Sequence, residues 1–400
     1  MKRWQINLYT LWFSQILSLM SFGLGLPFMP FYIQELGVTD PDQLKLYTGI
    51  LNAAPALAMG IMAPIWGMLS DKWGKKLMLL RSMLFASFIL AGMGLVKSVE
   101  HLVVLRVLQG FFTGTVTASA ALVASDAPSH RLSYALGFLS SSTFIGYSAG
   151  PAIGGFIAEG VGYRISFIIG GILMLLDFFL VLFVVKENKD SLLVSEKSFS
   201  NKFSFISFFS STLVAMLLLL FFMRISRTIF NPYLPLYVQE MRSSTTGNVT
   251  TTGIINGLAG LMTALSGLTL SRLGDRYNKL NILKLLFATG ILLSLPLFFI
   301  KTLLGFAILY GIFFFAIGGI EPIVMSITSE MIPSEKRGSL FGIQALVGSI
   351  GWAISPLLGG FVSIKFSIKS IFILIPIFLF LALLTSIVTS NMSKTVVAQK

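Results

Sequence analysis

The sequence predicts an all-α integral membrane protein, with twelve transmembrane helices built as two six-helix parallel repeats. Three observations carry this. First, 55% of the 400 residues are hydrophobic and only 11% are charged, which gives a mean hydropathy of +0.86. Apolar stretches of roughly 20 residues, the length of a membrane-spanning helix, recur from end to end. Second, the chain repeats itself: Pro27-Phe-Met-Pro-Phe-Tyr-Ile-Gln-Glu35 returns 205 positions later as Pro232-Tyr-Leu-Pro-Leu-Tyr-Val-Gln-Glu240. The same offset, within one residue, carries Gly49 to Asn52 onto Gly253 to Asn256, Asp71 onto Asp275, Gly114 onto Gly318, Asp126 onto Glu330, and Pro151 to Gly155 onto Pro356 to Gly360. Third, the basic residues segregate once spans are drawn. Of 29 Lys and Arg, 19 fall in segments on the side of the N-terminus, seven on the other side and three (Arg106, Arg224, Arg227) inside spans. The positive-inside rule then places both termini in the cytoplasm. The formal charge of +13 is therefore a topology signal rather than a nucleic-acid footprint.

Composition also removes several function classes. With no Cys there is no disulfide, thiolate metal site or cysteine nucleophile. Two histidines, His101 and His130, give no support to zinc or histidine-base chemistry, and neither a metal nor a cofactor is expected. A Gly-rich phosphate loop ending in Lys-Ser or Lys-Thr is missing, which argues against ATP as the energy source. The start, Met-Lys-Arg-Trp, runs into a long apolar helix without a small-residue cleavage site and reads as a retained first span.

Taken in order, the first span is expected over residues 6 to 35, bent by Pro27 and Pro30, with Tyr32 and Glu35 anchoring its outer end. The second, 45 to 69, runs into Gly67-Met-Leu-Ser-Asp-Lys-Trp-Gly-Lys-Lys76. A short loop between spans needs Gly to turn and charge to stay in water. This segment also resembles the loop 2–3 signature of the major facilitator superfamily, G-x-L-[AS]-D-[KR]-x-G-[RK]-[RK]. Gly67, Asp71, Lys72, Gly74, Lys75 and Lys76 match it, while Leu77 replaces the common Pro. The resemblance implies a conformational latch, in which Asp71 meets the N-terminal end of the eleventh helix near Arg337, an attraction of about 0.3 to 1 kcal/mol. The second copy, Leu273 to Lys279, is worn, with Asn278 in place of the second Gly.

The third span is expected over 76 to 97 and the fourth over 100 to 126. In the fourth, Leu105-Arg-Val-Leu-Gln-Gly110 is similar to the superfamily's Arg-and-Gly signature, which implies a part for Arg106 in proton coupling. An Arg at a helix centre costs about 2.5 to 3.5 kcal/mol on translocon scales, so a cavity or a partner must receive it. Arg106, Gly110, Thr113 and Thr117 fall on one helical face. The fifth span, 132 to 158, holds Gly146-Tyr-Ser-Ala-Gly-Pro-Ala-Ile-Gly-Gly155. Gly146, Gly150 and Gly154 recur every fourth residue and let a helix approach closely, while Pro151 removes a backbone donor and bends the span. With Gly155, these residues look like the G-x-x-x-G-P-x-x-G-G pattern of the drug:proton antiporter group of the superfamily. The sixth span, 164 to 186, contains Asp177, a second proton-carrier candidate, after which a polar segment links the halves. The domains are thus 1–186, a cytoplasmic linker 187–203, and 204–400.

The seventh span, 204 to 240, carries Arg224, Arg227 and Asn231 at spacings of three and four, and bends at Pro232 and Pro235. The eighth is expected over 248 to 272, the ninth over 279 to 300 and the tenth over 303 to 330. Glu321 lies near the middle of the tenth beside Pro322, and the repeat maps it onto Thr117, so it should look into the cavity. Glu321 with an Arg of the seventh span is the obvious pair. Removal from water favours a protonated carboxyl and a neighbouring guanidinium favours the carboxylate, so movement can switch the proton; a static bridge between two helices is the competing reading. The eleventh and twelfth spans, 337 to 363 and 368 to 391, close the second repeat. The 36 Phe and 17 Met suit lipophilic or amphipathic cargo of varied shape.

The resemblance covers nearly the whole chain. It implies a bacterial cell-membrane protein that exports such drugs in exchange for protons by alternating access, acting as a monomer with no nucleic-acid partner. The alternative is the same fold carrying a sugar or organic anion. An enzyme would need a nucleophile, acid/base pair or metal cluster, and none is visible.

Overall fold

The computed structural model describes residues 2–128, 131–187, 211–242, 246–331 and 337–398, leaving aside some side chains within them, Asp71 and Arg337 included. The described residues form helices because a chain in hydrocarbon must satisfy every backbone N–H and C=O internally. In order these are α1 (Arg3–Gly23), α2 (Met29–Glu35), α3 (Pro41–Trp73), α4 (Lys75–Leu95), α5 (Val99–Phe112), α6 (Thr115–Asp126), α7 (Leu132–Val161) and α8 (Tyr163–Val184). The second half follows with α9 (Ser211–Thr228), α10 (Leu234–Arg242), α11 (Asn248–Arg276), α12 (Lys279–Ser294), α13 (Leu303–Gly318), α14 (Ile320–Glu330), α15 (Arg337–Lys365) and α16 (Ile371–Ala398). Among the described residues, eleven segments are long and apolar enough to cross a membrane. The twelfth, α7, has the length, at 30 residues, but its many Gly and Ser dilute its hydropathy.

The breaks repeat as the sequence does. The first and seventh spans pass through one 3₁₀ turn each, Leu26–Phe28 and Asn231–Tyr233, at the repeated prolines, which cannot donate an internal hydrogen bond. The fourth and tenth also break, between α5 and α6 and between α13 and α14. At the first of these Gly114 has φ +138°, a conformation open to glycine. The single face from Arg106 to Thr117 expected of the fourth span is therefore interrupted, with Thr117 on a separate helix. The linker 187–203 lies outside the described residues beyond Glu187.

Contacts divide the chain into two compact units. Unit 1 comprises Met1–Thr39, Leu57–Lys202 and Ser244–Gly260, and unit 2 comprises Asp40–Ala56, Phe203–Ser243 and Leu261–Lys400. In unit 1, α8 packs on α4 and α1, and α1 packs on α7. One face of α1 is polar yet buried: Asn7, Ser14, Ser18 and Ser21 are each at most 2% exposed. In unit 2, α9 and α12 pack on α16, and α9 on α15. Phe230, Tyr237, Phe306, Tyr310 and Phe372 form a ring cluster with centroids 4.3 to 5.9 Å apart.

Candidate functional site

The charged centre of unit 2 joins α9 to α14. The break at Gly319 starts a new helix at Ile320 and puts Glu321 in its first turn, where the helix dipole favours negative charge. Arg224 and Arg227, three residues apart on α9, both reach it. Arg224 Nη2 donates to Oε1 of Glu321, and Arg227 Nη1 donates to Oε2 at 3.3 Å. The three side chains are 16%, 24% and 25% exposed respectively, so the triad is held mostly out of water, where an ion pair is screened little. Carboxylate oxygens that each take one guanidinium leave the group with a surplus of one positive charge. The Arg224 guanidinium also lies 5.0 Å from the Trp352 ring, within cation–π range. A Cβ at Gly348 would meet that guanidinium, its Cζ at 2.7 Å; α15 thus makes room for the arginine with a glycine. Asn231 leaves the expected stripe, because α9 ends at Thr228 and Asn231 Oδ1 accepts from Tyr310 Oη at 2.8 Å.

Two further ionisable groups lie inside unit 1. Arg106 on α5 is 5% exposed, so it does not snorkel to water, and its Nη1 donates to Gln109 Oε1 at 2.6 Å. Asp177 on α8 is fully buried, with its Oδ2 accepting from Ser18 Oγ at 2.7 Å.

The loop signature separates into parts. Gly74 has φ +100° and turns the chain into α4, whose first backbone donors, Lys75 N and Lys76 N, point at the Glu187 carboxylate at 2.8 and 3.0 Å. A Cβ at Gly74 would lie 2.8 Å from Glu187 Oε2, the end of a flexible side chain that can step aside, so it is the positive φ that requires glycine here. The carboxylate thereby caps a helix N-terminus, and Lys76 Nζ reaches Leu182 O at 2.8 Å. Lys72 is exposed, and a Cβ at Gly67 would meet open space. The expected meeting of Asp71 with the start of α15 at Arg337 falls on side chains outside the described residues.

The glycine pattern of α7 makes two close approaches. Cβ atoms at Gly146, Gly150 and Gly154 would come within 2.6 to 3.1 Å of α1 or the residue after it, at Leu19, Gly23 and Leu24. Gly155 faces the other way, toward Val249 O and Thr250 Cα of α11 at 3.0 and 3.1 Å. Small residues here let backbones approach as apolar packing in lipid requires. Ser148 Oγ adds a hydrogen bond to Gly257 O at 2.8 Å.

The roles of Glu187, Ser18, Gly348 and Trp352 carry no local sequence signal, because each depends on a partner more than 100 residues away in the chain. Among the described residues no group of three His, Asp or Glu is placed to hold a metal.

Comparison with known proteins places these features in a lineage. The family model described as Major Facilitator Superfamily matches residues 11–354 and 306–396. A protein of Lactococcus lactis subsp. lactis (strain IL1403) named "Multi-drug resistance efflux pump PmrA homolog" is 33% identical over 384 residues, 94% of each chain. The "Multidrug resistance protein MdtG" of Klebsiella pneumoniae (strain 342) is 30% identical over 378 residues, 92% of this chain and 90% of that one. Among solved structures, a bacterial homologue of the human lysosomal transporter Spinster, inward-facing and occupied, superposes with a TM-score of 0.82 at 13% identity over 98% of both chains. A mutant of the nucleoside transporter NupG gives 0.75 at 14% over 96% of this chain and 99% of that one. At such identities the structural likeness shows the fold alone.

Proposed function

Since the chain belongs to the major facilitator superfamily, we propose that it exports lipophilic or amphipathic drugs in exchange for protons by alternating access. The repeats 1–186 and 204–400 move about the fixed sites of each half, in a bacterial cell membrane, with both termini cytoplasmic and one chain sufficing. The observation that carries this reading is Glu321 held between Arg224 and Arg227 within apolar spans. One proton on that carboxyl removes both ion pairs and raises the local charge from one positive to two, a large change where water is scarce. Such a carboxyl senses protons and cargo charge at one place. Arg106 and its partner Gln109 give the other half a fixed charge on the same scale. The printed names of the relatives, both multidrug resistance proteins, and the glycine pattern of α7 support the drug assignment.

The test is efflux of ethidium or Hoechst dye from vesicles holding the purified chain, with and without a protonophore. Efflux that collapses with the proton gradient is expected. Folded, inserted protein that moves no lipophilic dye under a gradient would turn the reading toward a carrier of one metabolite.

A further inference from the structure

Unit 1 seals an acid inside itself without a counter-charge. Asp177 is 0% exposed, as is Ser14, and Ser18 is 1% exposed. Ser14 and Ser18 stand one turn apart on α1 and face α8 together. Ser18 donates its hydroxyl to Asp177 Oδ2 at 2.7 Å and lies 3.6 Å from Met174 Sδ. The other carboxyl oxygen, Oδ1, and the Ser14 hydroxyl are both buried, and neither has a hydrogen-bond partner. Two orphaned atoms in one dry place call for a shared explanation.

The ionisable groups on the surrounding helices keep to their own contacts or to the surface, although Arg81 Nε and Nη1 are themselves buried without a hydrogen-bond partner. On α1, Arg3 donates to Val184 O. On α4, Lys76 donates to Leu182 O, Lys75 lies at the Glu187 cap, and the Arg81 guanidinium sits 3.3 Å over the Trp66 ring. On α7, Glu159 accepts from Gly247 N and Thr250 N. On α8 itself, Arg164 pairs with Glu35, and Tyr163 stacks on Phe31. The tyrosines of α1 and α7, Tyr9, Tyr134 and Tyr147, are exposed. None of these groups bonds to Asp177.

A carboxylate so placed, without a cation, is far costlier than the neutral acid. The neutral acid needs no cation. Ser18 donates to its Oδ2, and a proton on Oδ1 gives the orphaned Ser14 hydroxyl a donor to turn toward. We propose that Asp177, Ser14 and Ser18 form a proton-binding site inside unit 1, occupied in this conformation and emptied during transport. Glu321 is the opposite case, a carboxylate between two guanidiniums. Two carboxyls in opposed settings divide their labour. The emptying step rests on the proton-coupled reading above, but the occupancy of the site does not.

Infrared difference spectroscopy on the full chain in lipid tests occupancy. At neutral pH the wild type should show the C=O stretch of a neutral carboxylic acid, sensitive to deuterium. That band should vanish in Asp177→Asn, persist in Glu321→Gln, and shift in Ser18→Ala as the hydrogen bond to Oδ2 is lost. Superimposable spectra of wild type and Asp177→Asn would overturn the proposal. So would carboxylate bands that respond to sodium against potassium, which would make this a site for a metal cation. In vesicles, folded Asp177→Asn should lose about tenfold or more of gradient-driven dye efflux while downhill dye exchange continues. Undiminished gradient-driven efflux would remove Asp177 from the cycle. If the wild type itself shows no gradient-driven efflux, the drug:proton reading and the emptying step fail together, and the infrared result alone decides the site.

Discussion

At the residue scale the triad of Glu321, Arg224 and Arg227 makes a claim about charge rather than shape. Glu321→Gln keeps the volume and removes the negative charge, so two guanidiniums are left facing an amide. Breaking a buried pair by removing one partner costs about 3 to 5 kcal/mol when burial is complete. Here the groups keep 16% to 25% exposure, and a loss nearer about 1 to 3 kcal/mol is expected. Thermal unfolding in detergent should show a lower midpoint, and dye efflux driven by a pH gradient should be abolished. Wild-type efflux by the variant would mean a static bridge between α9 and α14, with no part in proton transfer. Much of this site was legible in the chain: arginines at 224 and 227 share a helical face, and Glu321 is an intramembrane acid at matching depth. Asn231 was not, because periodicity cannot show where a helix stops, and α9 ends three residues earlier.

Among the elements, α7 supports the sharpest contrast. A Cβ at Gly154 would stand 2.6 Å from Leu24 Cα, a backbone atom that cannot step aside, whereas one at Gly67 on α3 meets nothing within 4 Å. Gly154→Leu should part α7 from α1 at a cost of about 1 to 3 kcal/mol or more. Gly67→Ala should leave stability unchanged or raise it by about 0.5 to 1 kcal/mol, since it stiffens a helix interior. Thermal midpoints of the two variants check this, and a Gly154→Leu protein as stable as wild type would show that α7 and α1 are held apart in solution. The approach was foreseeable, since glycine every fourth residue marks a helix face. The Glu187 cap on α4 was not, because a carboxylate opening a charged linker reads as solvated, and only the fold brings it beneath Gly74. The breaks at Gly114 and Gly319 were hidden for a similar reason. Apolar runs on both sides of each glycine read as continuous spans, and only Gly114 has a positive φ to mark its turn, while Gly319 stays in the right-handed helical region.

Over the whole molecule, the repeats of the sequence and the units of the fold are different divisions of the same chain. Unit 1 contains Ser244–Gly260 from the second repeat, and unit 2 contains Asp40–Ala56 from the first. In unit 1 the borrowed segment is held through Glu159, which accepts from Thr250 N at 2.9 Å and from Gly247 N, and through Ser148 on Gly257 O. In unit 2 the buried Tyr233 hydroxyl donates to Pro356 O at 2.6 Å and lies 3.4 Å from Lys45 O, in a crevice left by Gly49 and Gly360. The first repeat has Phe28 where the second has Tyr233, so the two copies no longer hold their borrowed segments in the same way. Sequence repetition located the duplication, but it could not show this exchange, which depends on contacts across more than 80 residues. A chain cut in the linker between 187 and 204 should therefore yield two fragments that copurify when expressed together. Either fragment alone should lose the hydrogen bonds of its borrowed segment and unfold at a lower temperature, by roughly 2 to 4 °C for each kcal/mol lost. Thermal midpoints of the fragments, separate and together, decide it. If residues 1–187 alone melted as high as the reassembled pair, the segment from Ser244 to Gly260 would contribute nothing to unit 1, and the sequence repeats would be the independent folding units.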